Sequence, residues 1–573
     1  MAHLHYLLFA LMLFLGCDLP DREGPDTIYH HGMIYTVDPQ QPFVHALAVK
    51  DGKIISIGGN DEILTMAGTH TEVVDLNNRF VMPGLIEGHA HFLAIGENLK
   101  NLDLIQTTSW KEVLDKIAQR IQDLPPGHWA TARGWHQDKW LSSPSDMVEG
   151  YPNHRTLSKL TKDNPLILSH ASGHALMANQ AAMDAAGVNA QTPDVAGGRI
   201  IRFPDGSPTG IFEENAMDLI QNAFRVYQNK RDPESVKMEQ RESLLLAQDA
   251  CFRQGITSFQ DAGSPMPVLE HIKALTLADS LKIRLWMMLY APFEDMEPSL
   301  KQLPWIGLGD DRLTVRGIKA YMDGALGSYG AWLLEDYADK PNYRGQILTS
   351  LDTLALMAEL AFQHRMQFCI HAIGDQANRS VLDLFEETQK KNPESRDLRW
   401  RIEHAQHLDS TDIPRFAELG VYASMQPIHC ISDAPFVEKR LGPDRTRIGA
   451  YVWRSLLDYG SPFAIGTDAP VESVNPFENI YAAITRRRMD NGQPFYPQQS
   501  MTRKEALYAY TLGNARAAFE EKTKGFLTPG KWADMIILSN HLLSCTDEEL
   551  KKTRVLQTII GGQVVYSNDA ELR

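Results

Sequence analysis

The sequence predicts an α/β protein: a parallel α/β domain over residues 84–524, flanked by short β segments at both chain ends that pair into one small β domain. Three observations lead there. Through the middle of the chain apolar strand-like runs alternate with helical stretches, the pattern in which helices cover a parallel sheet. Residues 27–83 and 525–573 carry only short β-like runs, too few at either end to bury a core alone. Five of the central runs also deliver an ionisable residue near the carboxyl end, where barrel enzymes build their sites.

Composition is that of an ordinary globular protein and excludes other classes. With 43% hydrophobic and 22% charged residues, the chain is neither disordered, collagenous nor a multi-span membrane protein. Its 56 basic against 72 acidic side chains give a net charge of −16, so binding to nucleic acid through phosphates is not expected. Five cysteines without a CxxC pair exclude a disulfide scaffold and a cysteine zinc ribbon. Cys251, Cys369 and Cys430 read as small buried hydrophobes.

Taken in order, the chain begins with an apolar run, Leu7–Leu15, too short to span a bilayer but suited to the core of an export signal. Gly16-Cys17 after it resembles the lipobox of bacterial lipoproteins. That resemblance implies a signal peptide over residues 1–17, lipidation of Cys17, and a protein anchored by lipid in the cell envelope on the periplasmic side. The β segments follow: Thr27–Thr36, Ala46–Ile57 with Asp51-Gly52 as a hairpin turn, and Glu72–Leu76. At the other end Ala533–Leu538 and Val555–Tyr566 are strand-like, with Gly561-Gly562 as the turn. Residues from about 105 to 235, rich in Trp, Pro and Gly, form an insertion in the α/β alternation.

The candidate chemistry lies at the ends of the apolar runs. Val81–Phe92 ends in His89-Ala90-His91, and residues two apart on a strand share a face, so both imidazoles can meet one cation. Lys319 lies inside LTVRGIKAYMD, His371 ends QFCI, His404 follows WRIE, and Asp468 ends SPFAIGT. Singly these are a core histidine, a snorkelling lysine or a helix cap. Jointly they describe a metal site, because burying so many ionisable groups is costly unless they hold a cation or one another.

GIKAYMDGALGS, HAIGDQAN, RIEHAQH, SMQPIH, GTDAPVE and KGFLTPGKWADMIIL resemble the YtcJ-like branch of amidohydrolase family 3, within the metal-dependent amidohydrolase superfamily, over residues 27–570. That branch includes N-substituted formamide deformylase. The resemblance implies a (β/α)8 TIM barrel carrying a small β-sandwich made from both chain ends, with the insertion after the first strand. A count of strand-like runs agrees: Val81–His91, Ile256–Ala262, Ile283–Tyr290, Thr314–Tyr321, Gln367–His371, Trp400–His404, Gly420–Gln426 and Pro462–Asp468. The candidate ligands fall on the first, fourth, fifth, sixth and eighth.

By the same resemblance Lys319, carboxylated by CO2, bridges two divalent cations, for which zinc suits the donor set. His89 and His91 hold one cation, His371 and His404 the other, and Asp468 contacts the first and acts as general base. The expected reaction is hydrolysis of a non-peptide C–N bond in a small organic amide. Deamination or lactone hydrolysis at the same site is an alternative, as is a solute-binding lipoprotein without catalysis. SHASGHALMAN (Ser169–Asn179) matches a family segment near the substrate pocket, with His174 as its polar contact. Trp135 and Gln137 are expected to line that pocket, with core or lid packing the alternative for Trp135. His407 and His429, with Asp323 and Asp375, are candidates for orienting ligands, the two aspartates equally for capping a turn. A homodimer is the default assembly.

Overall fold

The computed structural model describes residues 23–122, 124–568 and 570. Eight strands form its centre: β1 (Leu85–Ala90), β2 (Ile256–Ser264), β3 (Arg284–Leu289), β4 (Leu313–Tyr321), β5 (Gln367–Ala372), β6 (Arg401–His404), β7 (Tyr422–Met425) and β8 (Phe463–Ile465). Each pairs in parallel with the next. Their residues are almost all buried, because the inward faces fill the barrel and the outward faces lie under helices such as Leu351–Gln363 and Asp375–Lys391.

The ring closes between β8 and β1, where side chains do much of the joining. Asn514 donates to the carbonyls of Ile86 (2.5 Å) and Ile465 (2.8 Å) and accepts from the Ile465 amide (3.0 Å). The buried Glu87 carboxylate accepts from the Thr467 amide and hydroxyl and from the His89 amide. Glycine is required at this seam: a Cβ on Gly88 would stand 2.4 Å from the Ile465 carbonyl, and one on Gly466 2.4 Å from the His89 amide.

Both chain ends meet in a second β region. One sheet joins Thr27–His30, Ala46–Lys50, Lys53–Gly58 and Glu72–Asp75. The other mixes N-terminal strands, including Met33–Tyr35 and Phe80–Pro83, with C-terminal Met535–Leu538, Val555–Ile560 and Gln563–Ser567. Tyr29, Leu47 and Ile54 of the first sheet share an apolar cluster with Met535, Ile537 and Ile559 of the second. The run expected as one strand from Val81 to His91 divides at Gly84: Phe80–Pro83 pairs with Met535–Leu538, while Leu85 onward enters the barrel. Gly84 makes the crossover because a Cβ there would lie 2.1 Å from the Thr257 hydroxyl. Arg284 at the foot of β3 ties the two regions by a buried two-pronged pair with Asp534, at 2.6 and 3.0 Å.

Between β1 and β2 a further six-stranded sheet runs in the order Gly198–Arg202, Pro208–Glu214, Ala175–Ala178, Leu166–His170, Ala130–Trp135, Leu102–Asp103. It has its own apolar clusters and stands over the carboxyl ends of the barrel strands. Among the described residues no helix is long and apolar enough to cross a membrane; Leu7–Leu15 and Cys17 lie outside them.

Candidate metal centre and catalytic pocket

The carboxyl ends of the strands bring the histidines together on one carboxylate. From β1, His89 and His91 direct their Nε2 atoms at Oδ1 of Asp468, at 3.6 and 3.2 Å. Asp468 follows β8 with φ of +58°, a conformation held by its amide bond to the His89 carbonyl at 2.7 Å. His404 ends β6 with φ of +76°, and Ala405 continues at +44°, so the chain turns sharply where the imidazole enters the site. Its Nδ1 faces Oε1 of Gln426 at 2.7 Å, which leaves Nε2 for the cavity. Its ring stands 4.8 Å from that of His89 and 4.5 Å from that of His371. His429, on the first turn of the helix Pro427–Leu441, places Nε2 3.7 Å from the other Asp468 oxygen.

Burial sets the protonation of this cluster. It holds the pKa values of His89, His371 and His404 below the ordinary histidine range, so they stand as neutral donors. Burial opposes ionisation of Asp468, but the His91, His89 and His404 imidazoles hold its carboxyl well below the usual range. The Nε2 atoms of His89, His371 and His429 are buried without hydrogen-bond partners. His89 and His91, and His404 and His429, stand around the ionised Asp468 as donor sets a divalent cation takes, whereas His371 Nε2 lies 3.8 Å from Oδ1 of Asp323.

Lys319 on β4, opposite Cys369 of β5, is 1% exposed. Among the described residues its ammonium makes no ion pair; Nζ lies 5.0 Å from the centre of the Tyr321 ring, and burial lowers its pKa. It lines a cavity of about 500 Å³ together with His91, His371, His404 and Asp468. A smaller pocket, about 50 Å³, shares His371, His404 and Asp468 and is walled by Phe436.

One partner escaped the sequence reading. Glu403, fully buried, lies 2.5 Å from His89 Nδ1 and 3.4 Å from Arg401 Nε. Burial alone would raise its pKa, but Arg401 and His89 hold the carboxyl well below the usual range. It fixes the tautomer that presents Nε2 of His89 to the site. The available signal was the pair of charges, Arg401 and Glu403, inside an apolar strand.

The inserted sheet supplies the other wall. His174 reaches the cavity with its Nδ1 2.8 Å from Glu214, whose charge outweighs burial and raises the imidazole pKa. Trp135 does not line the pocket: it is fully buried in the sheet's own core and donates to the Leu168 carbonyl at 2.9 Å. The cause is a β-bulge between Arg133 and Trp135, with Gly134 at φ of +106°, which returns Trp135 to the face of Ala132. Gln137 is likewise buried beside the cavity wall; its neighbours His136 and Lys139 line the smaller pocket. Asp323 accepts three backbone amides, from Trp332, Ile373 and Gly374, and so knots the loops after β4 and β5. Asp375 accepts from the Leu334 and Gln376 amides. His407 packs on Tyr451, 5.2 Å between ring centres, with both ring nitrogens buried and without hydrogen-bond partners. Cys251, Cys369 and Cys430 are buried thiols.

Comparison with known proteins matches these features. Residues 72–566 fit the model of the amidohydrolase family. The putative amidohydrolase YtcJ of Bacillus subtilis is 31% identical over 94% of this chain and 99% of its own length. The N-substituted formamide deformylase of Arthrobacter pascens is 25% identical over 94% of this chain and 98% of its own. An uncharacterised metal-dependent hydrolase from Pyrococcus horikoshii superposes with a TM-score of 0.71 at 25% identity, covering 91% of this chain and 99% of its own. With a near-closed eight-stranded parallel barrel and a histidine-carboxylate cluster at its mouth, this chain belongs to the amidohydrolase family of hydrolases.

Proposed function

We propose that the protein hydrolyses a non-peptide C–N bond in a small organic amide, yielding a carboxylic acid and an amine. The observation that carries the reading is the convergence of His89, His91, His404 and His429 on Asp468 at the floor of a cavity of about 500 Å³. The likeness to an N-substituted formamide deformylase supports an amide as the substrate class.

His89, His91 and Asp468 would hold one divalent cation, and His371, His404 and Lys319 a second; zinc suits imidazole and carboxylate donors together. A cation bound there lowers the pKa of water and polarises a carbonyl. Asp468 accepts the proton of the attacking water and passes it to the departing nitrogen, which leaves readily only once protonated. Glu403 keeps His89 in register through this exchange, and His174, held by Glu214, contacts the substrate from the inserted wall. Lys319 enters as a carbamate: its neutral amine bonds the carbon of CO2 and releases a proton, replacing an unpaired buried cation by an anionic oxygen ligand.

Metal analysis of the purified protein, followed by an amide panel scored for released amine, tests the reading. It expects stoichiometric metal and turnover that chelation removes; metal-free protein with full activity would overturn it. Lys319→Arg should be inactive, and Lys319→Ala should regain part of its activity with added formate or acetate. We also propose export as a lipoprotein on Cys17, tested by loss of fatty-acid labelling in Cys17→Ser.

A further inference from the structure

We propose that Arg133 anchors a carboxylate carried by the substrate at a distance from the scissile bond. The proposal rests on the amide reading above and deepens it to amides that bear an anionic substituent.

Arg133 lines the larger cavity beside Asp468, His91 and His174. It stands on the inserted strand Ala130–Trp135, immediately before the bulge at Gly134. In an unbroken strand Trp135 would share its face; the extra residue sends the tryptophan into the core and leaves the guanidinium at the cavity. The group is poorly satisfied there. Nε donates to the Pro470 carbonyl at 3.4 Å and Nη2 to the Ala171 carbonyl at 3.3 Å, both long and both to neutral oxygens. Among the described residues no carboxylate pairs with it, and Nη1 donates to nothing. A guanidinium has five donors in a fixed fork, and placing one in a half-closed cavity without a carboxylate is costly unless a ligand supplies it.

The cavity's own acids do not fill that role. Glu214 is bonded to His174 at 2.8 Å. Asp218 has Arg225 as the cation that acts on it. The charge of Asp468 acts on Arg133 and partly offsets the lowering of its pKa by burial, but among the described residues the two form no ion pair, and Asp468 holds the histidines. A carboxylate matches the fork in shape and charge, with two parallel N–H···O bonds. Tyr290, Phe293, Met217 and Met357 line the remaining wall and suit an aromatic or aliphatic body between carboxylate and amide.

The test compares N-benzylformamide with its para-carboxy analogue on the metal-loaded wild type, Arg133→Met and Arg133→Lys. The wild type should prefer the carboxylated amide. Arg133→Met should lower the ratio of kcat/KM, carboxylated over neutral, by about 10- to 100-fold, mainly through KM. Arg133→Lys, which keeps the charge and loses the fork, should fall between. An equal ratio in all three proteins overturns the proposal. If neither formamide is hydrolysed, the amide reading fails separately, and calorimetry still decides on Arg133. Benzoate should bind the wild type and bind Arg133→Met about tenfold more weakly or worse, at unchanged metal content and thermal midpoint. Unchanged benzoate affinity in Arg133→Met overturns the proposal, because the carboxylate then rests on the metal alone.

Discussion

The barrel wall of the cavity and the wall supplied by the inserted sheet satisfy their polar groups in different ways. On the barrel side the Nε2 atoms of His89, His371 and His429 are buried without partners, although Glu403, Gln426 and Gln406 hold the other ring nitrogens of His89, His404 and His429. On the inserted side His174 is bonded to Glu214, Trp135 to a carbonyl and Tyr151 to Glu213 at 3.0 Å, while the atoms left unpaired there, His136 Nδ1, Gln137 Oε1, Trp140 Nε1 and His170 Nε2, belong to no histidine-carboxylate cluster among the described residues. A buried polar atom left unpaired costs folding energy of about 1–3 kcal/mol, so several orphans aimed at one point mark a site organised for a ligand of opposite electronic character. The inserted sheet has its own apolar core, gathers its unpaired atoms on no such carboxylate, and brings Arg133 and His174 to the cavity.

Substitutions can break or sharpen this contrast. The largest effect should come from His371→Ala and His404→Ala, each lowering bound metal and abolishing turnover while unfolding stays cooperative. Full metal content in both variants would show that the orphaned nitrogens serve packing alone. Next is Asp468→Asn, nearly isosteric but no base: kcat should fall by about 10²–10⁴-fold with metal substantially retained. Wild-type kcat there would assign Asp468 to the strand-end turn and leave the mechanism without its base. Glu403→Gln is smaller, since the amide keeps a hydrogen bond to His89 but removes the charge; metal affinity should weaken by about 10- to 100-fold, as measured by competition with a chelator. The smallest catalytic effect belongs to Trp135→Phe. It should lower the thermal midpoint through lost packing and leave KM for the amide unaltered, whereas a changed KM would return Trp135 to the pocket wall.

Much of this architecture was legible in the amino-acid sequence, for a local reason. Strand periodicity is two residues, so His89 and His91 read as a pair without any knowledge of the fold, and apolar runs that contain Lys319 or end in His371, His404 and Asp468 announce strand ends at a common face. The turns Asp51-Gly52 and Gly561-Gly562 are equally local, and both join the strands they were expected to join. What followed from the family resemblance, the eight-stranded barrel, agrees with the observed ladder from β1 to β8.

Tertiary structure decided the rest, wherever a partner lies far along the chain or the backbone leaves its regular period. Glu403 meets His89 across 314 residues, and Asn514 closes the seam between Ile86 and Ile465 from a helix beyond both strands. Pairing at that range leaves no trace in spacing. His404 enters the site through two successive positive-φ residues, and Gly134 shifts the register that separates Arg133 from Trp135. Alternation predicts a side chain's face only while φ and ψ stay extended; at a bulge or a left-handed turn the face is set by what the neighbouring sheet and core will accommodate.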